Sequence, residues 1–432
     1  RKPPAAAASA SASIGLMGGG GEVPEGCDKA EWEEAEHFNT VLNCFSEYLP
    51  YIETDIKRRE EAYERLSDEH KDLLPVEKSY PGKINLLKKA AIANKAVLDA
   101  ISGSIPKRRV NVRSAHAKPG ATVQPPGDSN KMQNMDKIQG TLHLMARDWS
   151  ANYKSERNQS YGVMLDELER LKPVTTLNRN KQEVLIPGVG LGRLMLEGVF
   201  RGYQCQGNDF SWQVLLAGRY LLNANKQPQQ IPIFPWIDDP GNRVSNSDMM
   251  ECVLIPDIDI KAELKKLEPL ARAPPKMSVT AGEWVDIYNR PINKDRFEAV
   301  LTSFFLDTAP NPITYIQTIY KTLAPGGVWI NFGPLKYHWQ PPVGTEPSEY
   351  EDPRYGESLE LTLDEIIQTA ETVGFKVVRA PSLHSCTYAS NPSSMNPTRY
   401  NAAFFTLRKP GGLISIEEAS DIPLPNDDPT AG

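Results

Sequence analysis

Cysteine is scarce in this sequence and carries no pattern. Cys27, Cys44, Cys205, Cys252 and Cys386 are its five, with no CxxC pairing, which excludes the usual zinc sites and a disulfide framework and points to a reducing compartment. Histidine is nearly as rare, with six, and with no zinc pattern among the cysteines no metal is expected. No apolar run approaches the roughly 18 residues that span a bilayer, so no membrane partner is expected either. Positive charge is also not in excess: the formal net charge of −7 gives a polyanion no chain-wide attraction, and nucleic acid is excluded as a first choice of substrate. The opening Arg1-Lys2-Pro3-Pro4 and the alanines after it lack the strongly apolar core of a secretory signal. The start at Arg1 carries the expectation that the true N-terminus lies upstream or was processed.

What is present suffices for a large core. A chain of 432 residues with 40% apolar content allows two or three domains. Residues 1–26 are Ala, Ser and Gly rich and read as disordered, as does the tail 411–432. Between them, 27–175 read as a helical region interrupted by a Gly, Pro and Ser rich insert near 102–130, and 176–410 read as an α/β domain. In the helical region Phe38, Val41, Leu42, Phe45 and Leu49 share one face, and Pro50 is expected to close that helix. Further helices are expected over 55–66, 83–101, 131–147 and 156–171. The basic trio Lys107-Arg108-Arg109 reads as a solvated loop before a nuclear signal.

The α/β domain is organised around Glu183 to Leu194. The apolar Val184 to Ile186 breaks into Gly188, Gly190 and Gly192 and enters an apolar helix at Arg193. This is a buried strand, a tight turn and a helix, and its glycines let backbone N–H groups approach a ligand at the helix N-terminus. The dinucleotide fingerprint wants its third glycine three residues after the second, where this chain has Arg193. GxGxG instead points to S-adenosylmethionine. A second strand, Tyr203 to Gly207, leads to Asp209, which reads either as a ribose ligand or as a cap for the helix after it. After Ser278 to Ala281, Glu283 is suited to the adenine amine and Trp284 to its ring, or Trp284 is a core aromatic. Arg147 either reaches the methionine carboxylate of the cofactor or only pairs with Asp148 or Glu156.

The strand Ala299 to Leu306 ends in Asp307, which places this carboxylate where ligands sit in open α/β sheets. Leu323-Ala324-Pro325-Gly326-Gly327 is a glycine-capped reversal into the strand Val328 to Phe332, and His338 follows it. A helix over 362–373, a strand over 375–378 and a last strand over 402–407 complete the pattern.

Taken together, Arg147-Asp-Trp-Ser, Ile186-Pro-Gly-Val-Gly-Leu-Gly-Arg-Leu, Cys205-Gln-Gly-Asn-Asp, Phe234-Pro-Trp-Ile, Pro256-Asp-Ile-Asp, Phe304-Phe-Leu-Asp-Thr-Ala and Trp329-Ile-Asn-Phe-Gly-Pro-Leu-Lys-Tyr-His resemble the carnosine N-methyltransferase family over roughly 31–410. The resemblance implies a seven-stranded, Rossmann-like class I methyltransferase sheet with an added N-terminal helical region. It implies S-adenosylmethionine as cofactor and methylation of the carnosine imidazole to give anserine. Carried over, the cofactor contacts fall on Arg147, Gly188, Asp209, Glu283 and Trp284, within a loop that also holds Gly190 and Gly192. Asp209 stands where the family has Glu, Glu283 where it has Asp, and Trp284 where it has Phe. Leu144 replaces a glutamine that touches the cofactor. Substrate contacts fall on Asp307, His338, Tyr388 and Tyr400, and Asp307 is the catalytic residue. The resemblance also makes a homodimer reasonable, in the cytosol or the nucleus.

The chemistry agrees with that assignment. Asp307 accepting from one imidazole N–H would fix the tautomer that presents the other nitrogen's lone pair, and would stabilise the imidazolium as it forms. A protein histidine or another small amine is the alternative substrate. A non-catalytic module that keeps the fold is the alternative from another class, and a nicotinamide oxidoreductase is disfavoured by Arg193.

Overall fold

Val184, Leu185 and Ile186 are buried on both faces of β1 (Glu183–Pro187), as an apolar run without alternation requires of a central parallel strand. The computed structural model describes residues 29–75, 80–105, 128–223, 227–267, 276–346, 348 and 352–411. Lys107, Arg108, Arg109 and Cys27 lie outside the described residues, as do most of the expected insert and the two terminal segments.

Around β1 lie β2 (Gln204–Asp209), β5 (Met277–Ala281), β6 (Phe297–Ser303), β7 (Leu323–Gly333), β8 (Lys376–Cys386) and β9 (Tyr400–Arg408), in the order β5-β2-β1-β6-β7-β9-β8. The first five strands run parallel, β9 is antiparallel to β7, and β8 is antiparallel to β9. This is the expected class I methyltransferase sheet: a doubly wound half-pair whose last strand inserts antiparallel before the edge. Its strand order reverses between β1 and β6, and the crevice for a ligand opens beyond their carboxyl ends. The helices α7 (Arg193–Phe200), α8 (Trp212–Asn223), α12 (Pro312–Thr322) and α13 (Leu363–Val373) cover the faces. A short antiparallel pair, β3 (Ile231–Ile233) and β4 (Val253–Ile255), stands apart from the main sheet.

The N-terminal helices are α1 (Lys29–Glu64), α2 (Asp68–Asp72), α3 (Tyr80–Gly103) and α4 (Asp128–Trp149). Pro50 does not close α1, which runs through it. Phe38, Val41, Phe45, Tyr48, Ile52 and Ile56 are all buried, so one apolar stripe continues across the proline. Burying that stripe outweighs the one backbone hydrogen bond the proline removes. The same core takes in Leu216 and Leu221 of α8, Ile231 and Ile233 of β3, and Trp236. The expected helix over 156–171 forms as α5 (Lys154–Arg157), a π-helical turn over Asn158–Gly162 and α6 (Val163–Leu171).

The expected strand ending at Leu306 stops at Ser303 instead. Phe304 turns into the left-handed region with φ of 50°, its N–H bonds Phe332 across the sheet, and a short 3-10 turn over Leu306–Thr308 follows. An apolar run cannot report such a reversal. The strand expected over 375–378 extends to Cys386 in β8, with register shifts along the way.

Candidate functional site

The three glycines after β1 all take positive φ, 63° at Gly188, 56° at Gly190 and 83° at Gly192, a conformation that disfavours any side chain. A Cβ on Gly188 would stand 2.6 Å from the Phe305 ring, so the turns after β1 and β6 are in direct contact. At Gly190 a Cβ would meet nothing within 4 Å, and the loop backbone there is open on that side.

Asp209, at the end of β2, holds this loop. Its Oδ2 accepts from the Gly190 N–H at 3.0 Å and its Oδ1 from the Ser211 N–H at 3.0 Å. Asp209 is thus a local cap ahead of α8 and is also tied to the glycine loop. Each oxygen keeps acceptor capacity. Burial raises the carboxyl above its ordinary value, and the backbone bonds from Ser211, Gly190 and Phe210 oppose that rise. In the turn after the neighbouring β5, Glu283 is the N-cap of α11 (Trp284–Tyr288) and accepts from Asp286 N–H at 3.0 Å. Burial raises it too. Trp284 is buried, stacked on Tyr288 and packed edge-on to Phe305, so the packing that the core alternative asks for is present. Its buried Nε1 has no hydrogen-bond partner.

Arg147 closes α4 and is buried between the rings of Tyr161 and Tyr388, its guanidinium carbon 4.5 Å from each centroid. Nη1 donates to Asp148 Oδ1 at 2.7 Å and to Tyr161 Oη at 2.6 Å, and Nη2 donates to Ser160 Oγ at 3.2 Å. Glu156 lies 3.5 Å from Nε. The pairing alternative is therefore present in the folded chain. Desolvation opposes the charge, but Tyr161, Asp148, Tyr388 and Glu156 outweigh it and hold the guanidinium above its ordinary range. Leu144 lies about one turn earlier in α4 and packs on the helical core.

Asp307 is 3% exposed, and its Oδ2 accepts from the Lys336 N–H at 3.0 Å. His338 donates its backbone N–H to the Asp307 carbonyl at 3.1 Å and leaves its side chain exposed. Burial raises the Asp307 carboxyl, and the hydrogen bond from the Lys336 N–H draws it back. Tyr388 and Tyr400 come from the far end of the β8–β9 hairpin. Their rings meet Phe304 at 4.3 Å and 5.6 Å between centroids, which sets them on the wall beside Asp307.

The sequence residues thus gather at one edge of the sheet, around the turns after β1, β2, β5, β6 and β7. Phe304, Phe305, Tyr161 and Ser160 complete the arrangement and were not among the expected site residues. Only the Phe304-Phe305 doublet at the end of a strand marked the first two. Among the described residues no cluster of His, Cys, Asp and Glu has metal-ligand geometry, and no helix is long and apolar enough to cross a membrane.

A model of the family described as carnosine N-methyltransferase matches residues 127–411, more than half of the chain. The chain belongs to that family. It is 31% identical over 383 residues to carnosine N-methyltransferase of Schizosaccharomyces pombe, covering 87% of this chain and 96% of that one. Its identity to the Rattus norvegicus carnosine N-methyltransferase is 30% over 382 residues, covering 87% of each chain. Among solved structures it is similar to a methyltransferase of Methanosarcina mazei at 15% identity, over 54% of this chain and 95% of that chain, with a TM-score of 0.32. That superposition adds nothing to the strand order.

Separate motifs meet in the interior. Asp257 of the Pro256-Asp257 motif accepts from Arg193 Nη1 at 2.5 Å and from Arg157 Nη2 at 2.5 Å. Arg193 also donates to the Asp148 carbonyl at 3.0 Å. The arginine that breaks the dinucleotide fingerprint is therefore a buried tie between the glycine helix and the N-terminal helices.

Proposed function

We propose that this protein transfers the methyl group of S-adenosylmethionine to an imidazole nitrogen of carnosine, giving anserine. The observation that carries the reading is the meeting of the Gly188 to Gly192 turn, closed by Asp209, with the buried Asp307 carboxylate across the Gly188–Phe305 contact. The donor set fits the cofactor. Asp209 would hold the ribose, Glu283 and Trp284 the adenine, and Arg147 the methionine carboxylate. The orphaned Trp284 Nε1, the free acceptor capacity of Asp209 and the open face at Gly190 support that fit. When bound, S-adenosylmethionine supplies an electrophilic methyl group on its sulfonium.

The chain's own task is to present a neutral nucleophile in line and away from water. Asp307 takes a hydrogen bond from one ring N–H and fixes the tautomer, so the other nitrogen offers its lone pair. As the ring becomes cationic the same carboxylate gains a full ion pair, an interaction stronger in the transition state than before it. Lys336 N–H holds the carboxylate in place during this change. Tyr388 and Tyr400 pack the ring, and His338 lies at the open side. We extend the proposal to a homodimer in a reducing compartment, the cytosol with the nucleus as second address. Cys44, Cys205, Cys252 and Cys386 are free, in keeping with that environment.

Transfer from labelled S-adenosylmethionine to carnosine, beside free histidine and a histidine-containing peptide, tests the reading. Methylcarnosine is the expected product. Cofactor binding without transfer to any imidazole overturns it.

A further inference from the structure

Tyr388 and Tyr400 have a second side. Together with Arg243 and Asn391 they line an open cavity of about 240 Å³. The Arg243 side chain is only 6% exposed, yet its Nε and Nη1 are buried without a hydrogen-bond partner. Its Nη2 lies 3.7 Å from Asp239 Oδ2, on a side chain that is 61% exposed. That contact leaves two of the donors of a buried cation unpaired, a costly arrangement unless an acceptor arrives. Asn391 repeats the pattern. Its Oδ1 accepts from the Ser393 N–H at 2.8 Å, while its Nδ2 is buried and unpartnered. Asp238, also on the wall, lies 3.1 Å from His143 Nε2.

We propose that this cavity takes the free carboxylate of the substrate, with Arg243 as its anchor and Asn391 as a second donor. The inference rests on the imidazole methylation proposed above and names what the enzyme reads beyond the ring. A guanidinium fork matches a carboxylate in shape and charge. The two tyrosines that face the ring also line the cavity, so a substrate with its imidazole beside Asp307 can send its backbone end past them. The volume admits a short backbone end and not a folded chain. A histidine inside a polypeptide has an amide where the carboxylate would be and leaves Arg243 unpaired. The cavity therefore selects a free C-terminal histidine over a protein histidine.

The backbone of Arg243 bridges that of Ser394, and Asn242 Nδ2 donates to Ser394 Oγ at 3.3 Å. The anchor is therefore held against the same hairpin end that carries the tyrosines.

The test compares kcat/KM for carnosine and for its C-terminal amide, which share one imidazole, using the full chain and its Arg243→Gln and Arg243→Lys variants. The parent is expected to prefer carnosine by about tenfold to a hundredfold, as loss of a charged hydrogen bond implies. Arg243→Gln should bring the ratio close to one through a higher KM for carnosine, and Arg243→Lys should keep part of it. Equal use of both substrates by the parent overturns the inference, and so does a Gln variant that loses both activities in proportion. If the variants do not fold, the parent's ratio decides. A parent that methylates neither compound fails at the reaction itself, a different result that removes this inference along with the proposed function.

Discussion

Asp307 bears the sharpest expectation. Asp307→Asn keeps the size and loses the charge, so the imidazolium that forms has no counterion. Turnover should fall about a hundredfold or more while the affinity for S-adenosylmethionine stays near the parent's, read by initial rates and by calorimetry. Proportional loss of both would instead mark a structural role. The acid side of the pH profile follows from two groups that must both be deprotonated. Burial raises Asp307 above its ordinary carboxylate value, and a free imidazole titrates near ~6.5. The parent's kcat/KM should therefore rise with pH and level off above ~6.5, with the Asp307 limb moved up from the usual carboxylate range toward it. In Asp307→Asn the residual activity should keep the imidazole limb alone.

Between elements, the decisive joint is Asp257. It pairs two arginines from different helices, Arg157 of α5 and Arg193 of α7, and all three side chains are at most 7% exposed. Truncation would take from two buried guanidiniums the carboxylate they share, leaving Arg193 with Glu197 and Arg157 with backbone carbonyls, so Asp257→Ala should cost about 3 kcal/mol, read as a lower midpoint of chemical unfolding. A loss under about 1 kcal/mol would show that the pair behaves like a surface ion pair. Packing between elements also explains the fate of α1. Pro50 breaks a helix in isolation, but the buried stripe on both sides of it packs on α3 and α4, and the docked bundle keeps the helix whole.

For the molecule as a whole, Glu167 fastens the helical region to the far edge of the sheet. From α6 it accepts from Arg379 of β8 at 2.8 Å and 3.0 Å, and from Thr406 Oγ1 of β9 at 3.1 Å. Burial alone would raise this carboxyl, but the bonds from Arg170 and Arg379 outweigh it and hold it at about 2. A depressed folded value means that its stabilisation is fully present above the ordinary carboxylate range and disappears as pH falls through about 2. The melting temperature should therefore drop between those limits. Glu167→Gln should be less stable at neutral pH and show a shallower acid decline. Parallel curves for parent and variant would remove Glu167 from the account.

Local pattern was enough for the parts whose physics is local. The run Val184 to Ile186 with its three glycines specified strand, turn and helix, and the carboxyl ends of β1, β2, β5 and β6 then located Asp209, Glu283 and Asp307, because side-chain volume and backbone freedom act within a few residues. The family likeness added Tyr388 and Tyr400, which no local pattern singled out. Long-range packing decided the rest. That Pro50 lies inside a helix, that Phe304 turns left-handed against β7, and that Arg193 meets Asp257 across 64 residues are settled by which surfaces are buried together. Arg243 reads in the sequence as one more loop charge. Only the fold, by folding its loop against the end of the β8–β9 hairpin, takes that charge out of water and leaves its donors waiting for an acid.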